Sequence, residues 1–382
     1  MSGPNDACAA IRALLDAKAP VWIEPPLLQP AAIYLELSGD DIRRRAFLIE
    51  DHAQGELCLR PDLTVPAVRA ALAMDKLPPL VAYVGLVFRR QHAGSTRETE
   101  FLQIGAEWLG HGDMDSAAEA EIIAAALEAC RAAGAEPVLR LGDRGVVHGF
   151  VSALGLAAPW AQRIARALSH VGGLAALRQE KPAAFDDEGA GLAEALAHAP
   201  EDHAEAALED VLNLARITRI GDRPAREIVQ RLRQREELAA APAPSSAQFD
   251  LLEALMRIDG QIDGQGGLVA ASALAKSPAL QQPAAAEAAI ATAAARFDAL
   301  KVLTNSPREV SFAPALGRAV AYYDGFVFEL EAPSLGERAS LGGGGRYDGL
   351  ARALAAPGRD GSADLRAAGF AVRPRRLAEA RP

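Results

Sequence analysis

The chain has 382 residues, half of them hydrophobic, with 40 Lys and Arg against 50 Asp and Glu and a formal net charge of −10. That length holds two domains or one domain with a large insertion, and the acidic balance argues against a broad nucleic-acid footprint, which shows as a basic face. Cys8, Cys58 and Cys130 lie far apart without a CxxC pair, and the first twenty residues lack the cationic, apolar, small-residue succession of a signal peptide; no zinc site, no disulfide framework, no membrane attachment and a cytoplasmic location are the expectations.

In chain order, Asn5 is placed to cap a helix over Ala7–Ala17, and strands are predicted around Val21–Glu24, Phe47–Glu50 and Leu57–Arg60. Thr64–Met74 reads as a helix with Pro66 in its first turn, Thr64 as its N-cap and Asp62 as a charge at its positive end. Longer strands, Leu80–Arg90 and Thr99–Leu109, flank a polar loop. A helix over Asp113–Ala133 and a strand over Pro137–Leu141 follow. From residue 145 to 305 the sequence turns alanine-rich, charged and helical in period, broken by KPAAFDDEGAG, APAPSS and DGQIDGQGG. Strand signals return at Val310–Phe312. The expected fold is α+β: a mixed or antiparallel sheet flanked by helices, with a core in residues 1–144 and 306–382 and a helical insertion over 145–305.

Strand parity gives the first chemical signal. In Thr99–Leu109, Leu102, Ile104, Ala106 and Trp108 share an apolar face, and Gln103 and Glu107 share the other with Gly105 between them. A glycine there removes bulk where two polar ends converge, as in a ligand floor; the alternative is that both side chains face water. In RAVAYYDGFVFELE, Asp324-Gly325 reads as a two-residue hairpin turn with the glycine at positive φ. Regular pairing then puts Arg318 and Tyr323 on opposite faces, so a bulge is required for both to reach one ligand. LGGGGRYDGL lacks the Lys-Ser/Thr of a phosphate loop and reads as strand-to-helix glycines. With no HExxH or GxSxG, neither metal, cofactor nor catalytic nucleophile is expected. A free amino acid, in contrast, needs what is present: a carboxylate for its ammonium group, which Asp62 supplies, and a guanidinium for its carboxylate, from Arg318 or Arg89. Glu107 with a tyrosine could hold an imidazole through its ring nitrogens.

These segments, in order, resemble the catalytic domain of the histidyl-tRNA synthetases, which have a class II aminoacyl-tRNA synthetase fold. LRPDLTVPAVRA is similar to that family's LRPEGT segment, FRR with FLQIGAE to motif 2, RAVAYYDGFVFE and GGRYDGL to its two histidine-specific motifs, AAGFAVRPRRL to motif 3, and the surroundings of Pro25-Pro26 to motif 1. The resemblance implies that Asp62 and Gln103 take the ammonium group and Thr64 lines the same end. It implies further that Arg318 meets the carboxylate, Glu107 and Tyr323 read the imidazole, and Tyr322, Arg346 and Tyr347 complete the wall.

The departures point elsewhere. Gln91 and His92 stand where motif 2 carries a glutamate and an arginine, and Ala321 replaces an acidic residue. Arg373-Pro374 replaces a Gly-Leu-like pair, where Pro374 is expected to prevent the motif 3 helix from starting. The sequence ends at Pro382, from which no anticodon-binding domain and no tRNA are expected. This profile resembles the regulatory subunits of ATP phosphoribosyltransferase, a family paralogous to the synthetases. That resemblance implies a non-catalytic chain partnered with a short-form catalytic subunit, a homodimer within a hetero-octamer that activates catalysis and transmits feedback by free histidine. The competing expectation is a ligase that forms an amino-acid adenylate on a non-tRNA acceptor, because Arg89 and Arg376 survive at positions resembling nucleotide-binding arginines.

Overall fold

A computed structural model describes the chain except residues 1–2, 35–44, 52–54, 93, 96, 169–172, 180–189, 215–224, 259–263, 305–309, 315, 317–321, 337–338, 356–360 and 382. The first helix, α1 (Pro4–Asp16), starts earlier than Asn5 would allow. Pro4 occupies its first turn, where a missing N–H costs nothing, and extended Gly3 is the N-cap, its N–H donating to Asp6 Oδ2 at 2.8 Å. Then come β1 (Val21–Trp22), β2 (Leu28–Pro30), β3 (Phe47–Asp51), β4 (Gly55–Leu59), α2 (Thr64–Leu72), β5 (Leu80–Phe88), β6 (Glu100–His111), α3 (Ser116–Ala132) and β7 (Val138–Asp143).

Every described element between β7 and the next strand is a helix: α4 (Arg144–Ala153), α5 (Ala158–Ala167), α6 (Gly173–Gln179), α7 (Ala190–His198), α8 (Glu201–Leu214), α9 (Ala225–Ala240), α10 (Ser246–Arg257), α11 (Gly264–Leu274) and α12 (Pro283–Thr304). The chain closes with β8 (Val310–Phe312), β9 (Phe326–Glu331), β10 (Ser340–Arg346), α13 (Asp348–Leu354), β11 (Leu365–Val372) and α14 (Pro374–Glu379). The helical stretch packs in two ways. Phe150 of α4 and Phe297 and Leu300 of α12 join the main core, whereas Leu196, Ala204, Leu208 and Val229 form a small core of their own. No helix among the described residues is long and apolar enough to cross a membrane.

Eight strands make one mixed sheet in the order β1-β5-β6-β11-β10-β9-β7-β8, parallel only at its two ends, and β2-β4-β3 form a small antiparallel sheet beside it. β8 pairs with β7, so strands before and after the helical stretch complete one sheet. The glycines of β10 lie inside it. A Cβ on Gly344 would fall 2.0 Å from the Gly369 carbonyl oxygen, which is why this central strand tolerates no side chain there.

Two further expectations fail for identifiable reasons. The predicted hairpin at Asp324-Gly325 does not form: both edges of β9 are already taken, Val327 opposite Gly345 of β10 and Phe326 opposite Asp143 of β7. Gly325 keeps out of the left-handed region. Its missing Cβ instead admits the Arg346 side chain, which would lie 2.9 Å away, while Asp324 accepts from the Asp348 and Gly349 N–H groups at 3.1 and 2.6 Å and holds the start of α13. Arg318 and the rest of the supposed first strand, residues 317–321, lie outside the described residues, as do most of the KPAAFDDEGAG and DGQIDGQGG breaks. Nor does Pro374 prevent a helix at motif 3. It sits in the first turn of α14, and Arg373 before it is extended (φ −110°, ψ 102°), the conformation a residue preceding proline favours.

A buried ion network ties the helical stretch to the sheet. Arg296 of α12 donates to Glu119 of α3 and, at 2.6 Å, to Asp143, whose other oxygen caps α4. Glu119 is shared with Arg346 of β10 at 2.8 Å, and Arg346 continues to Asp348 of α13 at 2.9 Å. Truncating one member leaves uncompensated buried charge. Arg296→Met is therefore expected to lower the unfolding free energy by about 3–5 kcal/mol in urea denaturation; a loss below about 1 kcal/mol would show that the network does not hold the two parts together.

Candidate functional site

The site is built on β5, β6, β10 and the start of α2. Glu107 of β6 is fully buried, so the water-facing alternative for this residue is excluded. Its Oε1 accepts from the Tyr83 hydroxyl of β5 at 2.6 Å, and its Oε2 accepts a short hydrogen bond from the Tyr347 hydroxyl just after β10. Space for this carboxylate comes from the neighbouring strand: Gly369 of β11 lies directly opposite Glu107, and a Cβ there would fall 1.6 Å from Oε2. Gly105, two residues away on β6, does the same for Tyr83, whose hydroxyl would lie 2.9 Å from an added Cβ. The Tyr83 hydroxyl also lies 3.4 Å from Thr64 Oγ1.

Above Glu107 three rings converge. The Tyr322 and Tyr323 centroids are 4.9 Å apart, and Tyr347 meets Tyr322 edge-on at 5.8 Å. Tyr323 lies against β10 at Gly345, where a Cβ would be 2.8 Å from its ring. Gln103, on the same face of β6 as Glu107, is only 6 % exposed, and its Oε1 has no hydrogen-bond partner. A buried acceptor without a donor is costly, about 1–3 kcal/mol, which marks it as an atom aimed at a ligand N–H.

Asp62, half-buried, lies close enough for its charge to act on Glu107. Its Oδ1 accepts from the Val65 N–H at 3.1 Å; the N-cap of α2 is Leu63, not Thr64, which is already the first helical residue. Burial raises the Asp62 carboxyl above its ordinary range, opposed by the Val65 N–H and by Arg89. Burial likewise pushes Glu107 up to about 7, against its tyrosine and Thr64 hydrogen bonds, and the Asp62 charge pushes the same way. Two neighbouring carboxylates forced toward protonation have the chemistry to meet a cation or the donor end of a zwitterion. Arg89 is half-buried beyond Asp62, its Nε donating to the Pro61 carbonyl at 2.7 Å. Among the described residues no group of three His, Cys, Asp or Glu side chains could hold a metal ion.

The structure thus brings together Asp62, Thr64, Gln103, Glu107, Tyr322 and Tyr323, with Arg89 at the edge; Arg318 is outside the described residues. Sequence reasoning missed Tyr83, which closes the second oxygen of Glu107, and Gly369, which makes its room. It assigned the wall residue Tyr347 but not its bond to Glu107.

The α+β fold with this mixed sheet flanked by helices is that of a class II synthetase-like protein. The sequence matches the histidyl-tRNA synthetase family over residues 21–254 and 217–377. Among solved structures, similarity extends to an ATP phosphoribosyltransferase regulatory subunit/histidyl-tRNA synthetase from Bacillus halodurans, with TM-score 0.61 and 22 % identity over 99 % of this chain and 79 % of that one. A histidine–tRNA ligase subunit from Alicyclobacillus acidocaldarius gives TM-score 0.59 and 20 % identity over 98 % and 91 %. At these identities the likeness concerns the fold. Curated relatives are closer in sequence: the ATP phosphoribosyltransferase regulatory subunit of Brucella anthropi is 34 % identical over 368 residues, 95 % of this chain and 94 % of its own. That of Brucella canis is 34 % identical over 352 residues, 91 % of each. The chain belongs to the family of ATP phosphoribosyltransferase regulatory subunits.

The raised Glu107 value has a stability consequence. Its proton is held more tightly in the folded chain, so its contribution is fully present below the ordinary carboxylate value of 4.5 and is lost as pH rises through about 7. Relative to Glu107→Gln, the ligand-free chain should lose on the order of 3 kcal/mol across that window and change little above about pH 8. Urea denaturation of both proteins over a pH series measures this; parallel curves would contradict the raised value.

Proposed function

We propose that this chain is the non-catalytic regulatory subunit of an ATP phosphoribosyltransferase, which activates a short-form catalytic subunit and senses free histidine for feedback inhibition. The observation that supports the reading best is Glu107, buried, its carboxyl pushed up to about 7, and fixed by Tyr83 and Tyr347 within reach of the Asp62 charge. Histidine fits this donor set: its ammonium group between Asp62 and the unpartnered Gln103 oxygen, its imidazole on Glu107 beneath Tyr322 and Tyr323, and its carboxylate toward Arg89, with Arg318 as the second guanidinium. Ligand N–H groups at Glu107 would favour its ionised form and so offset the desolvation that raises its carboxyl.

Feedback then requires that histidine prefer one arrangement of the complex. A preference of roughly 1–3 kcal/mol suffices for clear inhibition. The assembly we propose contains a homodimer of this chain within a hetero-octamer. Val21, Leu27, Leu28 and Ile49, all more than a third exposed on or beside β1, β2 and β3 near Pro25-Pro26, support a self-contact there. The competing ligase reading requires amino-acid-dependent pyrophosphate exchange, and none is expected.

Titration calorimetry with free histidine tests the assignment. Asp62→Asn and Glu107→Gln each remove a charged hydrogen-bond partner and are expected to weaken binding by about 10- to 100-fold, with feedback inhibition of the reconstituted complex lost in parallel. Wild-type affinity in both variants would refute the pocket.

A further inference from the structure

A buried hydroxyl near the amino-acid site has no partner within the chain. Tyr34, which follows β2, is only 3 % exposed, and its hydroxyl oxygen is wholly buried without a hydrogen bond among the described residues. Its ring belongs to the apolar cluster of Cys58, Val65, Val68 and Tyr347, against which Tyr322 and Tyr323 pack. Burial raises the phenol well above its ordinary range, so it keeps its proton and is a donor; after burial, the Asp62 charge acts on it most strongly, ahead of Cys58, Arg69 and Arg60. A buried donor without an acceptor is costly.

Elimination among these neighbours leaves one acceptor. A guanidinium offers none. Arg69 moreover donates to Gln29 at 2.9 Å, and Arg60 to the Leu86 carbonyl at 2.7 Å and to the Pro25 carbonyl. Burial pushes the Cys58 thiol up to about 11, so it stays protonated near neutrality and is at most a weak acceptor. Asp62 is the only carboxylate of the four. Backbone N–H groups of Val65 and Thr64 hold it from the α2 side, and among the described residues no side chain donates a hydrogen bond to it.

We propose that Tyr34 is a positioning residue of the histidine site, whose hydroxyl donates to Asp62 when a ligand ammonium group meets that carboxylate; the inference rests on the histidine reading given above. An ammonium group favours the ionised form of Asp62. An ionised carboxylate is in turn the stronger acceptor, its hydrogen bonds roughly twice as strong as neutral ones. The hydroxyl that is unsatisfied within the chain alone is satisfied in the complex, and Asp62 is held in place from the side away from the ligand.

Histidine calorimetry on the full chain, in a cycle of Tyr34→Phe, Asp62→Ala and the double variant, tests this. Tyr34→Phe removes only the hydroxyl oxygen. It is expected to weaken histidine binding about tenfold in the wild-type background and by less than about twofold in the Asp62→Ala background. Without histidine, its urea midpoint is expected to equal or exceed that of the wild type, because no bond is lost. Unchanged affinity in Tyr34→Phe, an equal loss in both backgrounds, or a lower urea midpoint would overturn the proposal. Should Asp62→Ala not fold, the affinity and urea midpoint of Tyr34→Phe alone decide. A wild-type chain that does not bind histidine removes both this inference and the reading beneath it; binding that is weakened by Asp62→Ala and not by Tyr34→Phe removes only this one.

Discussion

One buried carboxylate organises this protein's site. Glu107 lies on a central strand with no access to water, and an ionised group there is tolerated only if donors reach both of its oxygens. Tyr83 and Tyr347 supply them from strands on either side, and Gly369 leaves out the atom that would occupy the same space. The three contributions come from β5, the end of β10 and β11, and Tyr347 is 240 residues from Glu107 in sequence, so the sheet must be complete before the site exists. Conversely, the polar floor constrains the sheet: a Cβ on Gly369 would meet Glu107 first, and one on Gly105 would meet the Phe370 carbonyl and then the Tyr83 hydroxyl.

The surrounding fold transmits that constraint outward. Tyr322 and Tyr323 precede Asp324, whose carboxylate holds the start of α13, and Asp348 on that helix is bound to Arg346. Arg346 shares Glu119 with Arg296, which belongs to the last helix of the helical stretch. A continuous run of charged hydrogen bonds therefore links the rings over the cavity to helices remote from it.

Much of this was legible in the sequence because period-two alternation is read without knowing strand partners. Gln103 and Glu107 fell on one face of β6 by parity alone, and Asp62 and Thr64 were placed at a helix start by their position before VPAVRA. What parity could not supply was register. Tyr83 sits in LVAYVGLVF, apolar on both faces, and only the pairing of Tyr83 with Gly105 shows that it reaches Glu107. The hairpin failed for the same reason: a local Asp-Gly signal was overruled by β7 and β10, which occupy both edges of β9 from distant parts of the chain. At Arg373-Pro374 the local rule was right about the extended arginine and wrong about its consequence, because a proline at the first turn starts a helix as readily as it stops one.

The central claim, that this carboxylate is the imidazole receptor of a histidine sensor, is tested most directly by a crystal structure of the chain grown with free histidine. The account predicts a ring nitrogen within hydrogen-bonding distance of Glu107 and the ammonium group between Asp62 and Gln103. Histidine bound anywhere else, with Glu107 still closed off by its two tyrosines, would contradict it.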